Sequence, residues 1–196
     1  MSESPQGPDS DATANPWTRR SRAVAYQNPW ITVYHDEVLR PDGRPGIYGV
    51  VHFRNRAVGV VALDEQDRVL LVGQYRYTLS QYSWEIPEGG AAEGEDLLAA
   101  ARRELLEETG YSAARWELIL RAHLSNSVSD EEAFCYLATD LRAGEAAPEE
   151  TERLQVRWVP FAEALAMTAR GEITDALSVL GLQRVALLRG GAAPPR

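Results

Sequence analysis

The chain of 196 residues contains no lysine: all twenty of its basic residues are arginine. That absence removes chemistry built on a Walker-type phosphate lysine, a Schiff-base lysine or a nucleotidyl-carrying lysine. Cysteine is nearly absent too. The single thiol, Cys135, lies in the apolar run AFCYLAT and reads as a buried strand residue. One thiol cannot form a disulfide framework or a thiolate zinc site within one chain. His35, His52 and His123 are scattered without metal-binding spacing. No stretch reaches the ~18 apolar residues of a bilayer-spanning helix, and the first residues lack the charged, apolar and small-residue order of a signal peptide. A cytoplasmic protein with no membrane partner is the expectation. A basic surface is also missing, since the net charge is −9, which argues against a nucleic-acid partner.

What remains is a chain with 44% hydrophobic residues, enough for one sizeable core. Residues 1–18 are rich in Ser, Pro, Asp and Gly and read as a disordered tail. Residues 19–53 alternate β-branched and aromatic residues with polar ones around the turn RPDGRPG, predicting two or three strands of a small antiparallel β subdomain. Residues 54–190 form the main domain, and 191–196 a frayed end. Within it, AVGVVALDEQDRVLLVGQYRY predicts a hairpin at the centre of a sheet, and SQYSWEIPEGG a loop. RWELILRAHL, EAFCYLATDL and LQVRWVP read as strands, EAAPEETE as an acidic loop, and FAEALAMTARG and TDALSVLGLQRVALLR as helices. The fold class is α/β, a mixed sheet with helices packed against it.

The segment GGAAEGEDLLAAARRELLEETGY, residues 89–111, reads as an amphipathic helix with Leu97, Leu98, Ala101 and Leu105 on one face and Gly110 as its stop. Glu104, Glu107 and Glu108 crowd its last turns within one sector. Like charges at that spacing cost a helix roughly 0.2–0.5 kcal/mol per pair, and the negative end of the helix dipole adds to the repulsion. Something positive has to stand opposite them. Oxygen donors without His or Cys suit Mg²⁺, with Mn²⁺ as a substitute. Such an ion would also neutralise a phosphate substrate that an acidic protein otherwise repels. The plain alternative is a solvated acidic face.

In order, Gly89, Glu95, Arg103, Glu104, Leu105, Glu107, Glu108 and Gly110 match the string G-x5-E-x7-R-E-U-x-E-E-x-G-U, with Tyr111 at a position usually aliphatic. The chain thereby resembles the Nudix hydrolases. GQYRY, WEIPEGG, the PEETE loop and GEITDALSVLGL extend the resemblance over most of residues 20–190, toward the branch that cleaves ADP-ribose and related nucleoside diphosphate sugars. The resemblance implies a Nudix-type α-β-α sandwich and hydrolysis of a P–O–P linkage to a nucleoside monophosphate and a sugar phosphate. It implies that Glu104 and Glu108 bind metal, with Glu107 as a shared ligand or water partner and the backbone carbonyl of Glu88 completing the shell. Arg103 would orient Glu107 or its neighbours, and Glu95 would tether loop to helix. Glu150, or else Glu152, would be the general base. Arg76, Arg54 and Arg56 are candidates for gripping the diphosphate, and Trp30 and Tyr26 for stacking the base. A homodimer with exchanged N-terminal strands is implied as well. The sugar and base stay open: the loop after the box, HLSNSVSDEE, lacks the proline that ADP-ribose-preferring members tend to carry. A UDP- or GDP-sugar, a dinucleotide, or a regulator that only binds nucleotide sugars are the alternatives.

Overall fold

The computed structural model describes residues 13–144 and 154–191. They divide into two compact units, one ending at His52 and the other beginning at Phe53.

The first unit is a three-stranded sheet in the order β1 (Thr18–Gln27), β2 (Ile31–Leu39), β3 (Pro45–Phe53). β1 runs antiparallel to β2, with two register shifts, at Arg19/Ser21 and Val24/Tyr26. Every residue of β1 is exposed. Asn28 builds the β1–β2 turn, its side-chain oxygen accepting from the amides of Trp30 and Ile31. Asp36 is almost fully buried yet charged, and Arg22 meets it with two parallel bonds of 2.7 Å each.

The second unit is an α-β-α sandwich. One sheet has the order β7 (Glu88–Ala91), β4 (Arg56–Ala62), β9 (Glu132–Ala143), β8 (Tyr111–His123), and the other the order β10 (Gln155–Pro160), β5 (Arg68–Arg76), β6 (Gln81–Glu85). β4 pairs parallel with β9 and antiparallel with β7, so the first sheet is mixed. β4 is buried on both faces, which accounts for its unbroken apolar run. Val58 and Val60 face the helix α1 (Leu97–Thr109), where Ala101 and Leu105 are fully buried. Val61 and Cys135 face α2 (Phe161–Ala169) and α3 (Ala176–Arg189) with Leu177, Leu182 and Val185. Burying one such leucine stabilises the fold by roughly 1.5–3 kcal/mol.

Two expectations are corrected. β4 and β5 do not form a central hairpin: they lie in different sheets, and beyond the turn at Asp64–Asp67 only the bridge between Leu63 and Val69 joins them. Each strand is paired on both edges by others, β4 by β7 and β9 and β5 by β10 and β6, so the two diverge after the turn. SQYSWEIPEGG is not a loop but supplies β6 and β7, because Tyr82 and Trp84 alternate with buried Ser83 and Glu85 along an edge strand. The acidic helix correspondingly starts at Leu97, after the strand that carries Gly89 and Gly90. No helix among the described residues is long and apolar enough to cross a membrane.

Candidate active site

Three local devices set α1. The Asp96 carboxylate caps its start by accepting from the Ala99 amide at 2.8 Å, and Gly110, in the left-handed region at φ 74°, ends it with its amide on the Leu106 carbonyl. Between them the helix packs beside β7, so its acidic sector faces the Glu88–Ala91 backbone. Gly89 makes that approach possible. A Cβ there would stand 2.2 Å from Cδ of Glu104.

Arg103 sits in the middle of the acids. Its Nη1 donates to Glu104 Oε1 at 2.8 Å and to Glu107 Oε2 at 3.0 Å, and its Nη2 donates to the Gly90 carbonyl at 3.0 Å. A longer ion pair of 3.4 Å reaches Glu95. Burial alone would lower the Arg103 guanidinium, but Glu95, Glu104 and Glu107 together hold it above its ordinary value. Glu95 also accepts from the Ala92 amide at 2.9 Å, and this bond, with Arg103, keeps its carboxyl below the usual range. Its backbone carbonyl receives Nη2 of Arg56 at 3.0 Å. Glu104 goes the other way: burial pushes its carboxyl up, and Arg103 offsets this only in part. Glu108 is buried and accepts from the Glu88 amide at 3.0 Å, which fixes the backbone beside Gly89.

A second cluster adjoins the first through Glu88. Arg76 Nε donates to both Glu85 oxygens at 3.0 Å, and its Nη2 bonds to Glu85 and, at 2.8 Å, to Glu88. Burial, then the neighbouring Asp175 and Glu85, push the Glu88 carboxyl well above its ordinary value. Asp175 is the N-cap of α3, accepting from the Ser178 amide at 2.7 Å, and Ser178 Oγ accepts from the Ile86 amide at 2.9 Å. Glu131 is raised by burial and by Asp175.

The structure thus gathers Arg103, Glu104, Glu107, Glu108, Glu88, Arg76 and Arg56. Arg54 is exposed and joins neither cluster. Trp30 and Tyr26 lie exposed in the other unit. Glu150 and Glu152 lie outside the described residues. Sequence reasoning missed Glu85, Glu131 and Asp175. The first stands in WEIPEGG and the last in GEITDALS, both noticed as strings, but their convergence is tertiary.

A divalent cation suits the donor set. The acids offer only hard oxygens, three box carboxylates surround one guanidinium, and Gly89 leaves the space a side chain would take from Glu104. Among the described residues no three acidic, His or Cys side chains converge on one ion as they stand. Glu104 is turned onto Arg103 and Glu108 onto the Glu88 amide, so ligation requires rotation of these side chains.

The NUDIX domain matches residues 53–177, and the nucleoside diphosphate sugar hydrolase N-terminal domain matches residues 17–51. An ADP-ribose pyrophosphatase of Mycobacterium tuberculosis is 37% identical over 82% of this chain and 79% of its own. A CMP-5'-(N-acetyl-N-hydroxy-3-aminopropyl)phosphonate hydrolase of Streptomyces rubellomurinus is 28% identical over 91% of this chain and 86% of its own. A crystal structure of an ADP compounds hydrolase superposes with a TM-score of 0.81 at 21% identity, covering 91% of this chain and 97% of that one, which supports the fold. The chain therefore belongs to the Nudix family, hydrolases that generally work with a divalent metal ion.

Proposed function

We propose that the protein hydrolyses the pyrophosphate linkage of a nucleoside diphosphate sugar, with ADP-ribose as the leading substrate and Mg²⁺ as the cation. The observation that carries this is Arg103 fanned across Glu95, Glu104 and Glu107 while Glu108 holds the Glu88 amide. That arrangement fixes an acidic helix face against a glycine-lined backbone. The 37% identical ADP-ribose pyrophosphatase supports the substrate class.

Glu104, Glu107 and Glu108, with the Glu88 carbonyl, would hold the cation, which when bound neutralises the diphosphate and polarises the P–O–P linkage. Arg103 is a positioning residue that orients Glu104 and Glu107, and Glu95 anchors it. Arg76 keeps Glu85 and Glu88 in place through Nε and Nη2, which leaves Nη1 for a phosphate oxygen. Arg56, engaged with the Glu95 carbonyl, steadies the loop before α1. Arg54 is a weaker candidate for the diphosphate, and the exposed rings of Trp30 and Tyr26 are assigned to the base. In the reaction, water attacks one phosphorus, its proton passes to Glu150 or Glu152, and the P–O bond to the other phosphate breaks, giving a nucleoside monophosphate and a sugar phosphate. We further assign a homodimer with exchanged N-terminal strands. A monomer at micromolar concentration with full activity in sedimentation and assay would refute it.

The deciding assay presents ADP-ribose, UDP- and GDP-sugars, a dinucleotide and a cytidylyl phosphonate with excess Mg²⁺, and follows released phosphomonoester. The last compound is included because of the Streptomyces relative. Turnover of ADP-ribose, abolished by chelator and lost in Glu108→Gln with folding intact, is the expected result. Preference for another substrate would change the assignment, and a folded protein that binds a nucleotide sugar without turnover would make it a sensor.

A further inference from the structure

Most arginines that are not fully at the surface have an oxygen to bond. Arg56 and Arg184 reach carbonyls, and Arg68, Arg76 and Arg103 reach carboxylates. Arg157 on β10 departs from this pattern. Among the described residues its Nε is buried with no acceptor, and its Nη2 meets only the thioether of Met167 at 3.8 Å. A buried guanidinium nitrogen left unmatched is uncommon, and such a group calls for an acceptor that the described residues do not supply.

The surroundings are built to hold it. The Arg157 guanidinium carbon lies over the Trp84 indole, 3.8 Å from the ring centroid, and Tyr82 packs edge-on against the same indole. Trp84 lies across β5 at Gly73, where a Cβ would come within 2.8 Å of the indole and 2.4 Å of the Tyr82 hydroxyl. Around this stack opens a cleft of about 530 Å³, whose wall includes Gln81, Ser83, Glu172 and Thr174. Glu172 is not the missing partner. Its carboxylate is bonded to Arg170 at 2.6 Å, a guanidinium that also bridges Glu163 at 2.7 Å. Among the described residues Arg157 is the one basic side chain in the cleft wall.

The position is separate from the acidic helix. Arg157 follows the parity of Val159, and Val159, Leu71 and Trp84 pack on the α2 side of the sheet. Leu70 and Trp158 face the α1 side, as does Glu85, which pairs with Val72. We infer that the Arg157–Trp84 cleft binds a small oxyanion, a phosphomonoester or a carboxylate, at the guanidinium. Thr174 in the cleft wall supplies a hydroxyl for one of its remaining oxygens. The cleft falls within the usual size range of small-molecule sites, and the stacked guanidinium is pre-ordered, so little side-chain freedom is lost on binding.

The test uses the full chain with chelator present, which keeps any cation site empty. Sodium phosphate, glycerol 3-phosphate and succinate are titrated at constant ionic strength, with sodium chloride as control. The readout is the Trp84 indole ¹H–¹⁵N resonance, identified by its loss in Trp84→Phe, together with the Arg157 Nε–Hε resonance. A saturable shift of both resonances is expected. Response to the two phosphates assigns a phosphomonoester, response to succinate alone a carboxylate, and either supports the site. Arg157→Met keeps the length and apolar stem and should melt near the wild type while weakening the anion roughly tenfold or more. No saturable shift with any probe, or an equal Trp84 shift in Arg157→Met, overturns the inference. Should that variant not fold, an Arg157 Nε–Hε resonance unmoved by all three probes in the wild-type chain overturns it equally.

Discussion

Replacing Gly89 by alanine separates the site's geometry from its stability. The added Cβ would stand 2.2 Å from Cδ and 2.3 and 2.4 Å from the two oxygens of Glu104, whereas ordinary contact begins at 3.4 Å. The carboxylate must therefore move by about 1 Å. Gly89 does not have positive φ, so the backbone accepts alanine without strain. The obstacle is the end of a flexible side chain, which can swing away, losing its 2.8 Å bond to Arg103. Arg103 is about one-third exposed and keeps Glu107 and the Gly90 carbonyl, so the loss to folding is about 1 kcal/mol or less. For a chain of this size that shifts the melting temperature by roughly 2–4 °C. Turnover is far more sensitive, because a 1 Å displacement of a group that positions reactants costs on the order of a hundredfold. Thermal melting and ADP-ribose kinetics across a Mg²⁺ titration give both numbers. The expected outcome is a nearly normal melt, turnover down about a hundredfold, and a raised Mg²⁺ requirement. Wild-type kcat at the wild-type Mg²⁺ midpoint would refute the placement of Glu104 in the chemistry.

Other outcomes follow from separate parts of the molecule. Glu85→Gln removes the more buried partner of Arg76 but leaves Glu88, so a loss of about 1–2 kcal/mol in denaturant unfolding is expected. In the N-terminal unit the Arg22 bonds hold the Asp36 carboxyl below its usual 3.8. A depressed pKa contributes stability that is present above 3.8 and is lost as pH falls through the lower, folded value. Asp36→Asn should therefore melt below wild type at pH 7 and approach it in strong acid, and a gap that widens on acidification would contradict this. Burial pushes the Cys135 thiol up to about 12, so it should ignore a thiol reagent at pH 8 until the protein is unfolded. Rapid labelling of the native chain would contradict that burial.

Fixed spacing explains how much of the site was legible in the sequence. Glu104, Glu107 and Glu108 share a face because of helix geometry alone, and Gly110 stops the helix because only a residue tolerant of the left-handed region fits there. Ala101 and Leu105 were correctly placed in the core for the same reason. Glu85 and Asp175 come together from points 90 residues apart, through a helix cap and an edge strand whose pairing no local period encodes. The divergence of β4 from β5 was hidden likewise, since two apolar strands around a polar turn look the same whether they pair with each other or with strangers.

The connection between β6 and β7 is fastened by three elements at consecutive residues. Ser178 takes the Ile86 amide, the Val60 amide takes the Pro87 carbonyl, and Glu108 takes the Glu88 amide. Ile86 is itself fully buried. Ordering of this backbone thus happens during folding and leaves no entropy to be lost when a ligand arrives. Amide exchange at Ile86 should consequently report global unfolding rather than a local opening, and should slow little further when nucleotide binds.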